Sequence, residues 1–254
     1  MKGTMDVLIL GCGFTGERVA RRFLARGARV IATSRDPARL SGLGVEAVRL
    51  DTLHVRLNPG TLVLHSIPPA GAPELLRLLG DRAARLVYLS STAVYGSAAV
   101  VDANTPVDPA SDRARERLDA EQHAAAGPWS TLILRPAAIY GPGRGAHKAL
   151  ARGEYRIDDN FVSRIHVDDL AVHVEAGLLS GLVGAYPVAD EEPATAREIA
   201  VFLGGGLQPG SAPGRVTGNR RVDGSAIRRA LGIKLAYPSF RTGIPAAIQA
   251  EKEL

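Results

Sequence analysis

Residues 6–18 read DVLILGCGFTGER, an apolar run that breaks into Gly11-Cys12-Gly13-Phe14-Thr15-Gly16 and resumes as a helical pattern. Val7 to Leu10 have the length and branching of a strand buried on both faces, and Val19, Ala20, Phe23 and Leu24 recur at helical spacing. Strand, glycine turn and helix thus come in the order that a dinucleotide pyrophosphate requires. Gly11 allows the tight turn, Gly13 lets the backbone approach the pyrophosphate, and Gly16 allows the helix to pack closely on the strand, with the helix N-terminus facing the negative charge. The six residues from Gly11 to Gly16, Cys12, Phe14 and Thr15 among them, are therefore the expected cofactor cradle. A GxGxxG also occurs in plain glycine-rich turns; its place at the first strand of the chain carries the nucleotide reading.

The next strand signal, Arg29 to Thr33 (RVIAT), decides which dinucleotide. An NAD site places an acid about twenty residues past the glycines for the ribose 2′-hydroxyl, whereas a 2′-phosphate calls for an arginine and small donors. Here the positions are Thr33, Ser34 and Arg35, and Asp36 before Pro37 is accounted for as an N-cap. NADP is the expected cofactor, with NAD the alternative and Arg35 as a plain surface charge the bland reading. Asp51, at the end of a third strand from Val45 to Leu50, is placed to meet the adenine amino group, or else it caps the next turn. Ser66-Ile67-Pro68, after a fourth strand from Thr61 to Leu64, forms a loop along the cofactor.

Composition sets outer bounds. The chain has 254 residues, 46% hydrophobic, enough for one domain with a small appendage. It contains no run of eighteen apolar residues and enters a core strand almost at once, so neither a membrane span nor a signal peptide is expected, and the location is expected to be cytoplasmic. The net charge of +5 comes nearly all from arginine, lysine standing only at 2, 148, 234 and 252. These arginines are scattered among acids with few aromatics, which argues against nucleic acid as a partner. Cys12 is the lone cysteine, and no cluster has metal-ligand spacing, so no metal is expected. A small-molecule substrate and a monomer or homodimer complete the expectation.

Strand and helix signals alternate onward. Arg85 to Ser90 reads as a fifth strand, Ser111 to Ala126 as a helix, Leu132 to Leu134 as a sixth strand, and Gly184 to Val188 as the last. Helices are expected at Pro73 to Leu79, Ala146 to Arg152, Asp168 to Leu179, Thr195 to Leu203 and Ser239 to Glu251. Phe161 to His166 reads as a strand of the substrate region, Asp168 and Asp169 as caps of the helix that follows, and Asp223 as the cap of another. The fold class is α/β, a doubly wound parallel sheet of about seven strands. The core is expected over residues 1–140, and residues 141–254 complete the sheet near 165–190 and form a small lobe.

Four blocks, GCGFTG at 11–16, LSSTAVYG at 89–96, LRPAAIYGPGR at 134–144 and SRIHVDDLA at 163–171, together resemble the extended short-chain dehydrogenase/reductases, which include the nucleotide-sugar epimerases and dehydratases. The resemblance spans nearly the whole chain and implies a Rossmann sheet with a C-terminal substrate lobe. It assigns Ser91, with Thr92 beside it, to polarising the reacting oxygen, and places Pro136 and the loop from Ile139 to Gly143 around the nicotinamide. The family's tyrosine and lysine, four residues apart on the long helix, fall on Arg113 and Arg117. Arginine stays protonated throughout the working pH range, so Arg113 cannot replace the acid/base, while Arg117 can still hold the ribose or a phosphate. Such replacements resemble an atypical, nucleoside-diphosphate-sugar epimerase-like branch. Tyr95 and Tyr140 are the weak surrogates for the lost proton carrier. Arg113, Arg164 and Arg220 are the candidates for substrate anions. Two readings stay open: an NADP-dependent oxidoreductase or epimerase on a sugar-like or phosphorylated small molecule, and a non-catalytic NADP(H)-binding redox sensor or regulator.

Overall fold

β1 (Asp6–Leu10) is buried along its whole length, since its odd and even side chains enter two different cores. In the computed structural model, which describes residues 4–49, 57–67, 69, 77, 79–204 and 219–253, the chain continues through β2 (Arg29–Ser34), β3 (Glu46–Arg49), β4 (Thr61–His65) and β5 (Ala83–Leu89). Further strands are β6 (Val100–Val101), β7 (Ser130–Pro136), β8 (Ala138–Tyr140), β9 (Phe161–Val162), β10 (Arg164–His166), β11 (Gly184–Val188), β12 (Ala194–Thr195) and β13 (Arg221–Val222). The helices are α1 (Gly16–Ala25), α2 (Asp112–Ala125), α3 (Ala146–Ala151), α4 (Val167–Leu179), α5 (Ala196–Phe202), α6 (Ser225–Leu231) and α7 (Phe240–Lys252).

Seven strands form one sheet in the order β11-β7-β5-β4-β1-β2-β3, every neighbouring pair parallel. The chain leaves β1 toward β2 and β3, then crosses back to β4 on the other side. This switch opens a crevice at the carboxyl ends of β1 and β4, where doubly wound sheets bind ligands. Val7 and Ile9 face Val19 and Phe23 of α1 and Leu170 and Val174 of α4. Leu8 and Leu10 face the opposite core, with Tyr88, Trp129 and Ala120 and Ala124 of α2. A strand with helices on both faces reads as a continuous apolar run, as this one does.

Three local expectations are corrected. Phe161 to His166 is two strands, not one: β9 pairs antiparallel with β12, β10 pairs parallel with β8, and Ser163 between them accepts from the Val222 amide at 2.8 Å. The loop expected to begin at Ile139 starts as β8. The N-cap of α4 is His166, whose ring accepts from the Asp168 amide, while Asp168 pairs with Arg18 at 2.7 Å and buried Asp169 accepts from the amides of Ala236 and Tyr237 at 2.8 and 2.9 Å. Thr195 and Glu198 do form a capping box on α5. Asp51, Pro68, most of the helix expected before Leu79 and the loop 205–218 lie outside the described residues.

Candidate functional site

The glycine turn is rigidly sewn to the end of β2. The Gly11 amide donates to Thr33 Oγ1 at 2.9 Å and the Cys12 amide to the Thr33 carbonyl at 2.8 Å. Gly11 has φ +86°, and a Cβ there would lie 2.6 Å from Ile67 Cγ2. A Cβ on Gly16 would lie 2.9 Å from the Gly11 carbonyl oxygen. At Gly13 a Cβ would meet nothing within 4 Å, so its face is open to a ligand. Two glycines thus make the turn possible and the third leaves the cradle clear, the division of labour a pyrophosphate needs. Phe14 sits at the rim under the Arg18 guanidinium, 4.5 Å from the ring centroid. Cys12 points inward, and burial pushes its thiol up to about 11, which leaves it unreactive.

At the end of β2, Thr33 is committed to the turn. Ser34 accepts from the Asp36 amide at 3.1 Å, and Asp36 caps the Ala38 amide, the capping role anticipated for it. Arg35 is exposed and has no partner among the described residues. Arg39, which the sequence reading passed over, instead reaches the turn: it pairs with Glu17 and donates to the Cys12 carbonyl. Its signal was position, one turn beyond the Asp36-Pro37 start, on a face that tertiary packing selects.

From the turn a cleft of about 810 Å³ runs across the carboxyl end of the sheet. It is lined by Gly11, Gly13, Phe14 and Thr15 of the glycine turn, by Ser66 and Ile67 after β4, and by Ser91, Thr92, Arg113 and Arg117 of α2, Pro136 and Arg220. Residues more than two hundred positions apart therefore share one cavity. Ser91 Oγ accepts from the Ala93 amide at 3.1 Å and caps a 3₁₀ turn from Thr92 to Tyr95. Arg220 holds this turn from the far side through the carbonyls of Thr92, Gly96 and Ala98. Glu116, Arg144 and Ser163 also line the cleft and were not singled out in the sequence.

Three candidates lie elsewhere. Tyr95 is buried beneath the 3₁₀ turn, its hydroxyl accepting from Arg135 Nη1 at 3.1 Å; burial raises its pKa and Arg135 only partly opposes this. Tyr140 is buried against Gly243 and the edge of the His166 ring, and its hydroxyl has no hydrogen-bond partner among the described residues. Burial, then the carboxylates Asp190 and Asp169, push its pKa far up. Arg164 turns inward to the carbonyls of Val162 and Ala194 and to the Tyr155 hydroxyl. Its donors are spent inside the lobe, so it serves packing in this structure. Cys12, Gly16, Ser34 and Arg35 likewise do not line the cleft.

Beneath the cleft floor, Glu121 of α2 accepts from Ser90 Oγ and from Arg135 Nε and Nη2 at 3.0 and 2.6 Å, tying α2 to the ends of β5 and β7. His65, at the end of β4, packs edge-on against Tyr88 at 4.7 Å; burial, with some contribution from the Arg117 charge, lowers its pKa to about 4. A neutral, enclosed ring is a packing residue. Among the described residues no tyrosine or lysine lines the cleft.

A doubly wound sheet with this glycine cradle at its switch point defines a protein that binds a nicotinamide dinucleotide. Residues 69–170 match the model of the NAD dependent epimerase/dehydratase family, and residues 6–94 match that of the coenzyme F420-dependent NADP oxidoreductases. A functionally unknown conserved protein from Silicibacter pomeroyi is 31% identical, with a TM-score of 0.82 over 99% of this chain and 100% of that one. A protein from Methylobacillus flagellatus, provisionally named an NAD-dependent epimerase/dehydratase, is 27% identical with a TM-score of 0.80, covering 98% and 100%. MoeE5, solved with UDP-glucose and NAD, shares the fold at 21% identity and a TM-score of 0.80, covering 98% and 99%. No curated protein matches the sequence. The chain belongs to the NAD-dependent epimerase/dehydratase family.

Proposed function

We propose that the protein is an NADP-dependent oxidoreductase or epimerase acting on a sugar-like or phosphorylated small molecule. The observation that carries this reading is the single cleft joining the glycine cradle to the hydroxyls of Ser91 and Thr92. Gly13 and the α1 N-terminus would hold the pyrophosphate, Ser34 and Arg35 the 2′-phosphate, and Ser66 and Ile67 the middle of the cofactor, with Arg117 and Pro136 beside its nicotinamide half. A bound nicotinamide supplies hydride acceptance and donation. Ser91 and Thr92 then donate hydrogen bonds to the substrate oxygen whose charge changes, the kind of preorganised contact that lowers a barrier. The matched NADP oxidoreductase model supports the choice of NADP and the UDP-glucose bound by MoeE5 supports a sugar-like substrate, while the NAD held by MoeE5 keeps NAD as the alternative cofactor.

A second reading, a non-catalytic NADP(H) sensor, is favoured by one specific observation: Tyr95 and Tyr140 are both buried away from the cleft, whose lining among the described residues includes Arg113 and Arg117, on which the family resemblance places the proton-relay pair. Loss of a positioned acid/base costs roughly 10²- to 10⁴-fold in rate.

The deciding experiment has two stages. Calorimetric titration with NADP+ and NAD+ is expected to show at least about a tenfold preference for NADP+, the worth of one charge-assisted contact to the 2′-phosphate, lost in Arg35→Ala. Equal affinities refute the NADP assignment. NADPH consumption is then followed with UDP-glucose, UDP-glucuronic acid and simple carbonyl compounds, using the natural chain and the double variant Arg113→Tyr, Arg117→Lys. Turnover by the natural chain supports the enzyme, tight binding without turnover supports the sensor, and absence of dinucleotide binding overturns both.

A further inference from the structure

Four guanidiniums, those of Arg113, Arg117, Arg144 and Arg220, line the cleft, and none has a carboxylate within salt-bridge distance among the described residues. Elsewhere on the molecule Arg18, Arg22, Arg26 and Arg135 each face one. The four are not equivalent. Arg220 spends its donors on three backbone carbonyls, and Arg144 lies near the Phe14 ring, 5.4 Å from its centroid. Arg113 and Arg117 remain. They stand one turn apart on α2, which places their side chains on the same face with Cβ atoms roughly 6 Å apart.

Arg117 makes one long hydrogen bond, 3.4 Å to the Leu89 carbonyl, and its charge acts on the Tyr88 hydroxyl and the His65 ring beneath it, while Arg113 has no partner among the described residues. Arg113 also occupies the first turn of a fourteen-residue helix, where the positive end of the dipole disfavours a cation. Two guanidiniums and a helix N-terminus therefore add their fields at one end of the cleft, against Glu116 as the lone carboxylate among its described lining residues. Ser91 and Thr92 line the same cleft. On the binding mode proposed above, the cofactor's pyrophosphate lies at Gly13 and its 2′-phosphate at the end of β2, which leaves neither anionic group for this pair.

We infer that Arg113 and Arg117 form a receptor for an anionic group on the substrate, a phosphate monoester or a carboxylate, held between α2 and the Ser91–Thr92 segment. The planar donors of two arginines suit such an oxyanion, which can accept parallel hydrogen bonds from each. The inference rests on reading this end of the cleft as the substrate's, and it turns the two replacements from a loss of chemistry into a gain of charge recognition.

The test is isothermal titration of the NADP+-saturated protein, and separately of the apoprotein, with glycerol 3-phosphate, glycerate and glycerol. Either anion is expected to bind while glycerol does not, the stronger of the two identifying the group. Arg113→Ala and Arg117→Ala should each weaken the anion about tenfold or more, lysine at either position should restore part of the loss, and Arg21→Ala, on exposed α1 surface, should change nothing. Equal response to glycerol and the anions, or anion affinity indifferent to both alanine variants, overturns the inference. Failure of NADP+ to bind would overturn the proposed function, while the apoprotein titration would still decide the arginine pair.

Discussion

Glu121→Ala is expected to be among the costliest single substitutions in the chain. Glu121 is 3% exposed and accepts from Ser90 and twice from Arg135, whose own side chain is 10% exposed. Burial works against the Arg135 charge, and the hydrogen bonds to Glu121 and Tyr95 outweigh it, so the guanidinium is held charged. Truncating Glu121 leaves that cation enclosed with only the Tyr95 hydroxyl at 3.1 Å and the Tyr95 ring at 5.1 Å. Breaking a buried ion pair from one side costs about 3–5 kcal/mol, and the orphaned Ser90 hydroxyl adds about 1 kcal/mol. Against a total stability of about 5–15 kcal/mol this is a large fraction, and it corresponds to a fall in Tm of roughly 8–24 °C for a chain of this size. Urea unfolding followed by circular dichroism, with calorimetry alongside, measures it. The double variant Glu121→Ala, Arg135→Met should recover at least about 2 kcal/mol, because replacing both partners removes the stranded charge. A loss below about 1 kcal/mol for Glu121→Ala, or strict additivity in the double variant, would refute the account of the network as the clamp beneath the Ser90–Ser91 wall.

Gly13→Val is expected to leave Tm unchanged within about 2 °C and abolish NADP+ binding, since its Cβ has open space; Gly16→Val should lower both, because its Cβ strikes the Gly11 carbonyl. Thermal unfolding paired with cofactor titration checks this, and a destabilised Gly13→Val would contradict it. Glu251 of α7 anchors the α3 region through the Gly143 amide, His147 and Lys148 at 2.7, 2.8 and 2.9 Å, contacts that outweigh burial and hold its carboxyl near pKa 2. A depressed folded pKa means that this anchor is complete above about pH 4.5 and lost as pH falls through 2. Protection factors over residues 141–152, corrected for the intrinsic exchange rate at each pH, should therefore fall on acidification and in Glu251→Gln at neutral pH, and protection insensitive to that variant would dismiss the anchor. NADPH should add protection over residues 141–160 if this segment closes on the ligand. Asp190 is buried with both oxygens unpartnered among the described residues, and burial raises its pKa to about 8. A raised folded pKa costs stability as pH climbs from about 4 through 8, so Asp190→Asn should gain stability relative to the natural chain above pH 8 and little near pH 4. A constant difference across that range would rule out titration at this site.

The doubly wound sheet was legible in the sequence because its signals are local. An apolar run at β1, a glycine turn and an amphipathic α1 need no distant partner to be recognised, and repetition of that unit determines a parallel sheet. The family blocks around Gly11, Ser91, Pro136 and Ser163 likewise marked the loops at the carboxyl ends of the strands. Short elements were not legible. β8, β9 and β10 hold only two or three residues each, and their partners lie 26 to 34 residues away along the chain, which no local periodicity encodes. Side-chain direction was equally out of reach. Arg113 and Arg220 were grouped with Arg164 as substrate-anion ligands, and residue type alone cannot separate a guanidinium facing a cleft from one satisfied by buried carbonyls. Tyr95 sits four residues from Ser91, yet the 3₁₀ turn between them sends one to the cleft and the other to Arg135 beneath it. From residues alone one could read the parallel sheet, the glycine turn at its first strand and the lack of tyrosine and lysine in α2. Only the tertiary structure decided which arginines are left without a carboxylate and where they converge, because that depends on which distant carbonyls and acids the fold brings within hydrogen-bonding reach.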